Sequence, residues 1–244
     1  MSDMQQKIAG NQSKRSLGLL GGMSWESTAI YYRLLNEGVR KRCGGLHSAP
    51  LLLFSPDFSP IAAHQAAHEW SVLERQLGDA GRHLAHMGAT ALLICSNTMH
   101  CLYDGIEAAS GLPVLHIADA TGEVLQQSAC HRPALLATRF TMEGTFYGAR
   151  LKARFGMDPM VPDAASRDLI HRIIYEELCQ GIVRDESRLQ LQRIIETLRV
   201  AGADSVILGC TEITMLIGQV DTVLPVFDTT AIHAAAGVSW ILGD

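Results

Sequence analysis

Two small nucleophile-type residues occupy matching places in a repeated stretch of the chain. Residues 88–98 and 202–212 both begin with Gly-Ala and continue through an apolar run, so that Ser96 in the first copy corresponds to Cys210 in the second. The two residues lie 114 positions apart. If the copies form like-folded halves, Ser96 and Cys210 face each other across the seam. Two opposed proton carriers suit a reaction that removes a proton from one face of a carbon atom and returns one to the other face.

Two further pairs of segments keep nearly the same spacing. The Leu-Leu pair at 19–20 returns at 135–136, and the Leu-Pro-Val run at 112–114 returns at 224–226, with offsets of 116 and 112. Internal similarity on this scale predicts two like-folded halves related by a pseudo-twofold axis.

Cys210 is the stronger of the two candidate proton carriers. It follows an apolar strand and opens a predicted helix, where backbone N–H groups and the helix dipole favour a thiolate and lower the pKa from about 8.5. A buried cysteine that merely ends a strand is the alternative, and the repeat argues against it. Cys95, one position before Ser96, is expected to point into the core, because a shift of one residue in an extended segment turns the side chain to the opposite face.

Ser96 is a poor base unless a neighbouring group takes its proton. His100 lies one helical turn further on and has two interpretations. It is either the group that assists Ser96 or a residue at the start of a helix that hydrogen-bonds the loop, and we expect the second.

Strands alternate with helices along the chain. Strands are predicted at 16–20, 51–55, 91–95, 114–117, 134–138, 157–161, 205–209 and 224–227. Helices are predicted at 25–42, 68–87, 99–109, 120–127, 143–154, 166–179, 186–200, 212–217 and 230–242. This order predicts the α/β class, with parallel sheets covered by helices on both faces. Ligands of such sheets bind at the carboxyl ends of the strands, where both copies of the repeat place their polar residues.

One loop follows the first strand of each half. Both the Gly-Gly-Met-Ser loop at 21–24 and the Thr-Arg-Phe-Thr loop at 138–141 precede a helix, so we expect each to offer free N–H donors to an anion such as a carboxylate. The paired glycines are not part of a dinucleotide-binding fingerprint, because G-x-G-x-x-G is absent.

Composition excludes several classes of protein. Of the 244 residues 48% are hydrophobic and 18% are charged, which is typical of a globular protein with a core. The net charge of −5 and the scattered basic residues argue against a nucleic-acid partner. No apolar run reaches the roughly 18–20 residues that cross a membrane. Residues 1–16 are predicted to be a disordered tail without the apolar segment of a secretory signal.

The cysteines and lysines narrow the chemistry. The six cysteines form no C-x-x-C pair, and without an export signal they predict a cytoplasmic protein with reduced thiols. No lysine lies in a strand-end loop, so a Schiff base with pyridoxal phosphate is not expected. No His-Glu-x-x-His motif marks a metal site. We therefore expect neither a cofactor nor a metal ion.

Three motifs carry a resemblance to a known family. They are Gly-Gly-Met-Ser-Trp-Glu-Ser-Thr at 21–28, Asn-Thr-Met-His at 97–100 and Gly-Cys-Thr-Glu at 209–212. With the segments at 115–119 and 226–229 they resemble the aspartate/glutamate racemase family, in particular amino-acid racemases of the YgeA type. The resemblance runs from about residue 17 to the end of the sequence.

The resemblance implies a cofactor-independent racemase with two pseudo-symmetric α/β domains, each a three-layer α/β/α arrangement, and the active site in the cleft between them. It implies that Cys210 and residue 96 are the two acid/base residues, and it favours aspartate or glutamate as the substrate. The domains are expected at 17–116 with 228–244, and at 117–227, because in relatives the last helix crosses back. Relatives form homodimers. The motifs and strand-end loops predict these substrate-binding residues: Met23, Gln65, Asn97, Thr98, Thr138, Thr141, Thr211 and Glu212.

Ser96 departs from the family pattern, since many members carry cysteine there and a related branch carries threonine. A hydroxyl at this position leaves one competent thiolate. We therefore expect an enzyme that is asymmetric between the two directions of racemisation. Cys210 deprotonates the L-enantiomer, and Ser96, or a water that it holds, returns a proton poorly. The serine is either native or an engineered replacement of a cysteine or threonine.

Other activities stay open. Hydantoin racemases and maleate isomerases share the strand-end cysteine and differ in substrate. If the substrate is acidic, Arg33, Arg139 and Arg167 are candidates to bind its second carboxylate. A two-lobed protein that binds an amino acid or carboxylate without converting it is the alternative of a different class, and a cysteine placed like Cys210 argues against it.

Overall fold

The computed structural model describes residues 15–244 and contains two parallel β-sheets packed between helices, which confirms the α/β class. The strands are β1 Leu17–Leu20, β2 Leu51–Phe54, β3 Ala91–Ile94, β4 Val114–Leu115, β5 Pro133–Ala137, β6 Ser205–Gly209 and β7 Val226–Asp228. The α-helices are α1 Trp25–Cys43, α2 Phe58–Ala66, α3 Trp70–His86, α4 Tyr103–Ser110, α5 Ile117–Gln127, α6 Arg139–Glu143, α7 Thr145–Phe155, α8 Ala164–Arg172, α9 Asp185–Val200 and α10 Thr229–Leu242. Short 3₁₀ turns cover Thr98–Leu102, Leu178–Gln180, Thr211–Met215 and Gln219–Asp221, and a π turn covers Ile173–Glu177.

The two sheets repeat one another rung by rung. The first has the strand order β2-β1-β3-β4 and the second β5-β6-β7, and all neighbours are parallel. The offsets of 116, 114 and 112 found in the sequence connect residues that share a rung. The two matching rungs are Leu19–Leu93–Leu115 and Leu135–Ile207–Phe227. The sequence repeat therefore corresponds to a structural repeat.

The second sheet lacks a full counterpart of β2. The strand predicted at 157–161 is reduced to one bridge between Met160 and Ala134, at the edge of β5 where β2 would lie beside β1. Pro159 and Pro162 flank Met160 and carry no N–H group, so neither can donate to a strand ladder.

Each half contributes one helix to the hydrophobic core of the other half. Ile117 and Leu125 of α5, which follows the first sheet, belong to the hydrophobic core around β5, β6 and β7. Val238 and Ile241 of α10, which follows the second sheet, pack with residues of β1, β3 and α1. The domain division at 17–116 with 228–244 and at 117–227 stays a prediction.

Two helices differ from their predictions. No helix was predicted where α2 lies. Pro60 is in its first turn, where no intrahelical N–H bond is lost, and Asp57 caps the helix by accepting a hydrogen bond from the Ser59 N–H at 3.2 Å. The single helix predicted at 166–179 is divided into α8, the π turn and a 3₁₀ turn.

The first two described residues make hydrogen bonds to the rest of the fold. The predicted tail at 1–16 lies outside the described residues up to position 14. The Arg15 guanidinium donates to the Trp240 carbonyl at 3.0 Å, and the Ser16 hydroxyl donates to the Gly88 carbonyl at 2.6 Å. These two residues therefore belong to the fold rather than to the tail. Among residues 15–244, no helix combines the length and the apolar character that a membrane span requires.

Candidate active site

A cavity of about 410 Å³, its mouth included, lies where the carboxyl ends of strands from both sheets meet. Nine of the ten predicted site residues line it: Met23, Gln65, Ser96, Asn97, Thr98, Thr138, Cys210, Thr211 and Glu212. Thr141 is the exception and lies behind the wall. The structure thus brings Ser96 and Cys210 into one cavity.

Cys210 is bound to a carboxylate. Its thiol donates a hydrogen bond to Oε2 of Glu212 at 2.9 Å, and the Ser24 hydroxyl donates to Oε1 at 2.7 Å. All three residues are buried. Because both oxygens of Glu212 act as acceptors, the side chain is held as a carboxylate with its proton-accepting atom at the sulfur.

The prediction of a lowered thiol pKa is wrong for this structure. Burial, followed by the negative charge of Glu212, raises the pKa of Cys210 well above its ordinary value. The helix expected to stabilise the thiolate is only a short 3₁₀ turn at 211–215, although the Glu212 N–H does favour the charged sulfur. Cys210 is therefore a thiol with a proton acceptor in contact.

Ser96 lies half-buried at the opposite copy of the motif and accepts a long hydrogen bond of 3.5 Å from the Met99 N–H. His100 does not assist it as a base. Nδ1 of His100 donates to the Ser96 carbonyl at 2.8 Å, and Nε2 accepts from the Ile117 N–H at 3.2 Å, so both ring nitrogens are occupied. Burial lowers the pKa of His100 to about 4. As predicted, Cys95 lies in the core and is fully buried.

Matching contacts join the halves on both sides of the cavity. Thr98 and Glu212 occupy corresponding positions in the repeat. Thr98 bonds the Thr138 hydroxyl of the second half at 2.9 Å, and Glu212 bonds the Ser24 hydroxyl of the first half at 2.7 Å. Thr141 reaches both threonines at 3.2 Å and completes a triangle of hydroxyls. The predicted Thr141 thus orients two wall residues from behind.

Asn97 carries a buried acceptor without a partner. The Thr229 hydroxyl donates to the Leu208 carbonyl at 2.8 Å, so it must accept from Nδ2 of Asn97, at 3.0 Å. This fixes the amide orientation and leaves Oδ1 of Asn97 buried with no hydrogen bond to any residue from 15 to 244. An unpaired buried acceptor in a cavity wall is unfavourable unless a ligand donates to it.

Thr211 is used to join the halves. The Thr230 hydroxyl donates to Oγ1 of Thr211 at 3.2 Å, Thr211 lies 2.7 Å from the Ser27 hydroxyl, and Ser27 donates to the Cys95 carbonyl at 3.2 Å. The chain of hydroxyls holds the segment after Cys210 against α1 and β3. Thr211 therefore positions the motif, and its hydroxyl is already satisfied.

Four N–H groups of the strand-end loops, where free donors were expected, already have partners within the structure. The Gly21 N–H donates to the Phe54 carbonyl and the Gly22 N–H to the Thr28 hydroxyl, both at 2.8 Å. In the second loop the Thr141 N–H donates to Thr138 and the Arg139 N–H to His171. These N–H groups stabilise the loops and are not available to an anion.

Sequence reasoning missed one wall of the cavity. Phe58 lies on α2, and the π turn and its continuation supply Ile174, Tyr175 and Cys179. The Tyr175 hydroxyl donates to Oε1 of Gln65 at 3.2 Å, which joins this wall across the seam. A π turn has no clear sequence pattern, and its occurrence at a functional site is common.

Aromatic rings continue the contact between the halves outside the cavity. Phe140 packs edge-on against Trp70 of the first half, with ring centroids 5.4 Å apart, and against His171 of the second half at 5.5 Å. His171 in turn lies 4.7 Å from the ring of Tyr175. The wall that carries Tyr175 is thus packed against both halves.

We find few groups in this site, besides the Cys210 thiol and the Glu212 carboxylate, that could hold a metal ion or form a Schiff base. Within residues 15–244, no group of three or more His, Cys, Asp or Glu side chains is arranged to hold a metal ion. The cavity wall built from these residues contains no lysine. The arrangement can exchange protons with a small ligand through Cys210, Glu212 and Ser96.

The chain is similar to known racemases over most of its length. The sequence profile described as Asp/Glu/Hydantoin racemase matches residues 20–237. The broad specificity amino-acid racemase RacX of Bacillus subtilis (strain 168) is 22% identical over 236 residues, covering 93% of this chain and 98% of its own. A crystal structure from Yersinia pestis, assigned as an Asp/Glu racemase, is 48% identical with a TM-score of 0.88 and covers 93% of this chain and 99% of its own.

A more distant structure has the same fold. An aspartate racemase homologue from Pyrococcus horikoshii OT3 is 29% identical with a TM-score of 0.81, covering 93% of this chain and 99% of its own. The profile match extends over most of the sequence and includes the repeated motifs at 96–98 and 210–212. The chain belongs to the Asp/Glu/hydantoin racemase family and is an isomerase.

Proposed function

We propose that the protein is a cofactor-independent amino-acid racemase in which Cys210 and Ser96 exchange protons with opposite faces of the α-carbon. One observation carries the proposal: the Cys210 thiol donates to the Glu212 carboxylate in a cavity that also contains Ser96, its counterpart in the repeat. A thiol in contact with a buried acceptor can become a base when a substrate is bound.

The reaction begins with two proton transfers. The Cys210 thiol gives its proton to Oε2 of Glu212, and the resulting thiolate forms a new S–H bond with the α-proton of the substrate. The electron pair of the broken C–H bond stays on the α-carbon. Ser96, or a water bound to it, then delivers a proton to the opposite face. Glu212 releases its proton to solvent and Ser96 regains one, which restores the starting state.

The substrate is held by groups that lack partners or can turn. Oδ1 of Asn97 is unpaired and accepts an N–H of the amino group. The hydroxyls of Thr98 and Thr138 bond each other and the Thr141 hydroxyl, and Thr138 also accepts from the Thr141 N–H. Each hydroxyl hydrogen can turn towards the α-carboxylate. Both contacts orient the α-carbon between residues 96 and 210.

The expected asymmetry has a thermodynamic limit. Because the equilibrium constant of racemisation is one, kcat/KM must be equal for the L- and D-enantiomers. A weak Ser96 therefore shows itself in isotope exchange in D₂O. Cys210 removes the α-proton of the L-enantiomer, the thiol exchanges that proton for a solvent deuteron, and the deuteron is returned to the same face several times for each inversion. The D-enantiomer, whose α-proton faces Ser96, exchanges slowly and mostly with inversion.

The test is α-proton exchange in D₂O, followed by NMR and chiral chromatography with L- and D-amino acids offered separately and no cofactor added. We expect exchange from L-substrates that is lost in Cys210→Ser and retained in Cys179→Ala, which changes a different cysteine of the cavity wall. Binding without exchange would favour the two-lobed binding protein. Turnover of hydantoins or maleate alone would place the chain with those relatives in function.

The family relation favours aspartate and glutamate, whereas the charge of the cavity favours uncharged side chains. A homodimer and a cytoplasmic location are further parts of the proposal. The first rests on the resemblance to dimeric relatives, and the second on six cysteines that are all unpaired. Light scattering of the purified chain tests the first.

A further inference from the structure

We infer that the site accepts amino acids with uncharged side chains in preference to the acidic amino acids after which the family is named. The inference rests on the proposed racemase function. Its basis is the charge of the cavity: among the described residues 15–244, the wall contains one acidic side chain, Glu212, and no arginine, lysine or histidine.

An acidic substrate would bring two carboxylates into a space that already holds one. Glu212 is buried, and its hydrogen bonds come from the neutral Cys210 thiol and Ser24 hydroxyl, so no cation among residues 15–244 pairs with its charge. A buried charge is tolerated when it is paired, and juxtaposed like charges are strongly unfavourable. The α-carboxylate has the hydroxyls of Thr98 and Thr138, whereas a second carboxylate has no cation.

The arginines proposed from the sequence as partners for a second carboxylate lie elsewhere. Arg33 lines a separate surface groove beside α1. Arg139 pairs with Asp168 at 3.0 Å, and its side chain is 43% exposed. Arg167 donates to Glu143 at 3.0 Å and to the Pro162 carbonyl at 2.7 Å. Each arginine is engaged or exposed outside the cavity wall.

The wall offers apolar surface and the amide of Gln65 in place of a cation. Met23, Phe58, Ile174 and Tyr175 supply the apolar part. Gln65 accepts from the Tyr175 hydroxyl through Oε1, and its Nε2 reaches only the thioether sulfur of Met99, at 4.0 Å. Thioether sulfur is a weak acceptor, so Nε2 can donate to a carbonyl or hydroxyl on a ligand. This chemistry fits a neutral side chain of intermediate length.

Glutamine and glutamate form a matched pair of probes, because they have the same shape and differ in charge. The full-length chain is incubated in D₂O with L-glutamine, L-glutamate, L-asparagine, L-aspartate or L-methionine, and α-proton loss is followed by NMR. We expect each amide to exchange at least about tenfold faster than its acid, with methionine also a substrate. Equal or faster exchange of the acids would overturn the inference and leave the racemase function intact. Exchange from none of the five would overturn both.

A change in the wall tests the cause of the preference. Gln65→Lys places a cation beside Tyr175, and we expect the ratio of glutamate to glutamine exchange to rise at least about tenfold. Gln65→Met has a similar length without charge and is the matched control. A similar ratio in both variants would show that side-chain charge does not determine selectivity at this wall, contrary to the inference.

Discussion

The Cys210 thiol lies 2.9 Å from a carboxylate oxygen of Glu212, and this pair has a different chemical counterpart in the first half of the molecule. There the matching residues are Ser96 and Thr98, and Thr98 bonds Thr138 across the seam. The strong proton carrier is thus accompanied by an acceptor, and the weak one by a neutral hydroxyl. The two halves share a backbone and differ in their proton chemistry.

Glu212→Gln should separate the acidity of Cys210 from its activity. The charge of Glu212 contributes to the raised pKa of the thiol, so its removal should move the pH profile of Cys210 alkylation by iodoacetamide to lower pH. If Glu212 accepts the thiol proton during turnover, kcat should nevertheless fall about 10²–10³-fold. The two measurements then change in opposite senses.

Ser24→Ala is the control for this experiment. It removes the hydrogen bond to Oε1 of Glu212 and leaves the one from Cys210 to Oε2. We expect a smaller loss in kcat, about tenfold or less, because the charge of Glu212 and its proton-accepting atom Oε2 are both kept. A Glu212→Gln variant as active as Ser24→Ala would contradict the role of Glu212 as proton acceptor.

Substitution of Ser96 should change the balance between exchange and inversion. Ser96→Cys supplies a second thiol, so inversion of an L-substrate in D₂O should become faster relative to exchange with retention. Ser96→Ala should reduce inversion by about tenfold or more and leave exchange from the L-enantiomer within a few-fold. Both are measured by combining NMR with chiral chromatography. Parallel loss of exchange and inversion in Ser96→Ala would argue that Ser96 acts on both faces or that the site has collapsed.

The repeat predicted much of the fold, because it reports on strands whose register is fixed by burial on both faces. Leu19, Leu93 and Leu115 share one rung, as their spacing to the second copy requires. Helix α2 was missed because a proline in a first helical turn has the same sequence appearance as a helix break. The lone bridge at Met160 was predicted as a full strand although Pro159 and Pro162, which carry no N–H donor, are visible in the sequence.

The site was predicted where it depends on strand ends and missed where it depends on tertiary contacts. Ser96 and Cys210 follow strands, so the topology alone brings them to one edge. The wall with Tyr175 depends on how a π turn packs across the seam, which no local pattern specifies. The predicted direction of the pKa shift of Cys210 was wrong, because burial of the thiol and its contact with Glu212 outweigh the effect of a short 3₁₀ turn.

Asn97→Ala should weaken substrate binding. The unpaired Oδ1 of Asn97 is proposed to accept from the substrate amino group, and a hydrogen bond to a charged group contributes about 1.5–3 kcal/mol. KM should therefore rise about 10–100-fold with a smaller change in kcat. Thr229→Val, which removes the partner that fixes the amide orientation, should also raise KM, and Thr229→Ser should not. An unchanged KM in Asn97→Ala would exclude the contact.

Three buried histidines should make the fold sensitive to acid. His100 and His116 have ring centroids 4.7 Å apart, and His100 and His233 5.5 Å apart. Burial lowers the pKa of all three, that of His100 to about 4, and for His116 and His233 the nearby His100 adds to the effect. In the unfolded chain each ring takes up a proton near pH 6.5. The free energy of unfolding should therefore have its full value above pH 6.5 and decrease as the pH falls towards 4.

Urea unfolding between pH 7.5 and 4.5 measures this loss, which should approach about 1.4 kcal/mol per pH unit for each ring that stays neutral in the fold. His116→Asn is a suitable comparison. Nδ1 of His116 accepts from the Ala118 N–H at the start of α5, and asparagine is an equally good N-cap residue. The variant should thus retain the cap and take up about one proton fewer on unfolding. If the wild-type chain and the variant depended equally on pH, His116 would not be among the groups that destabilise the fold in acid.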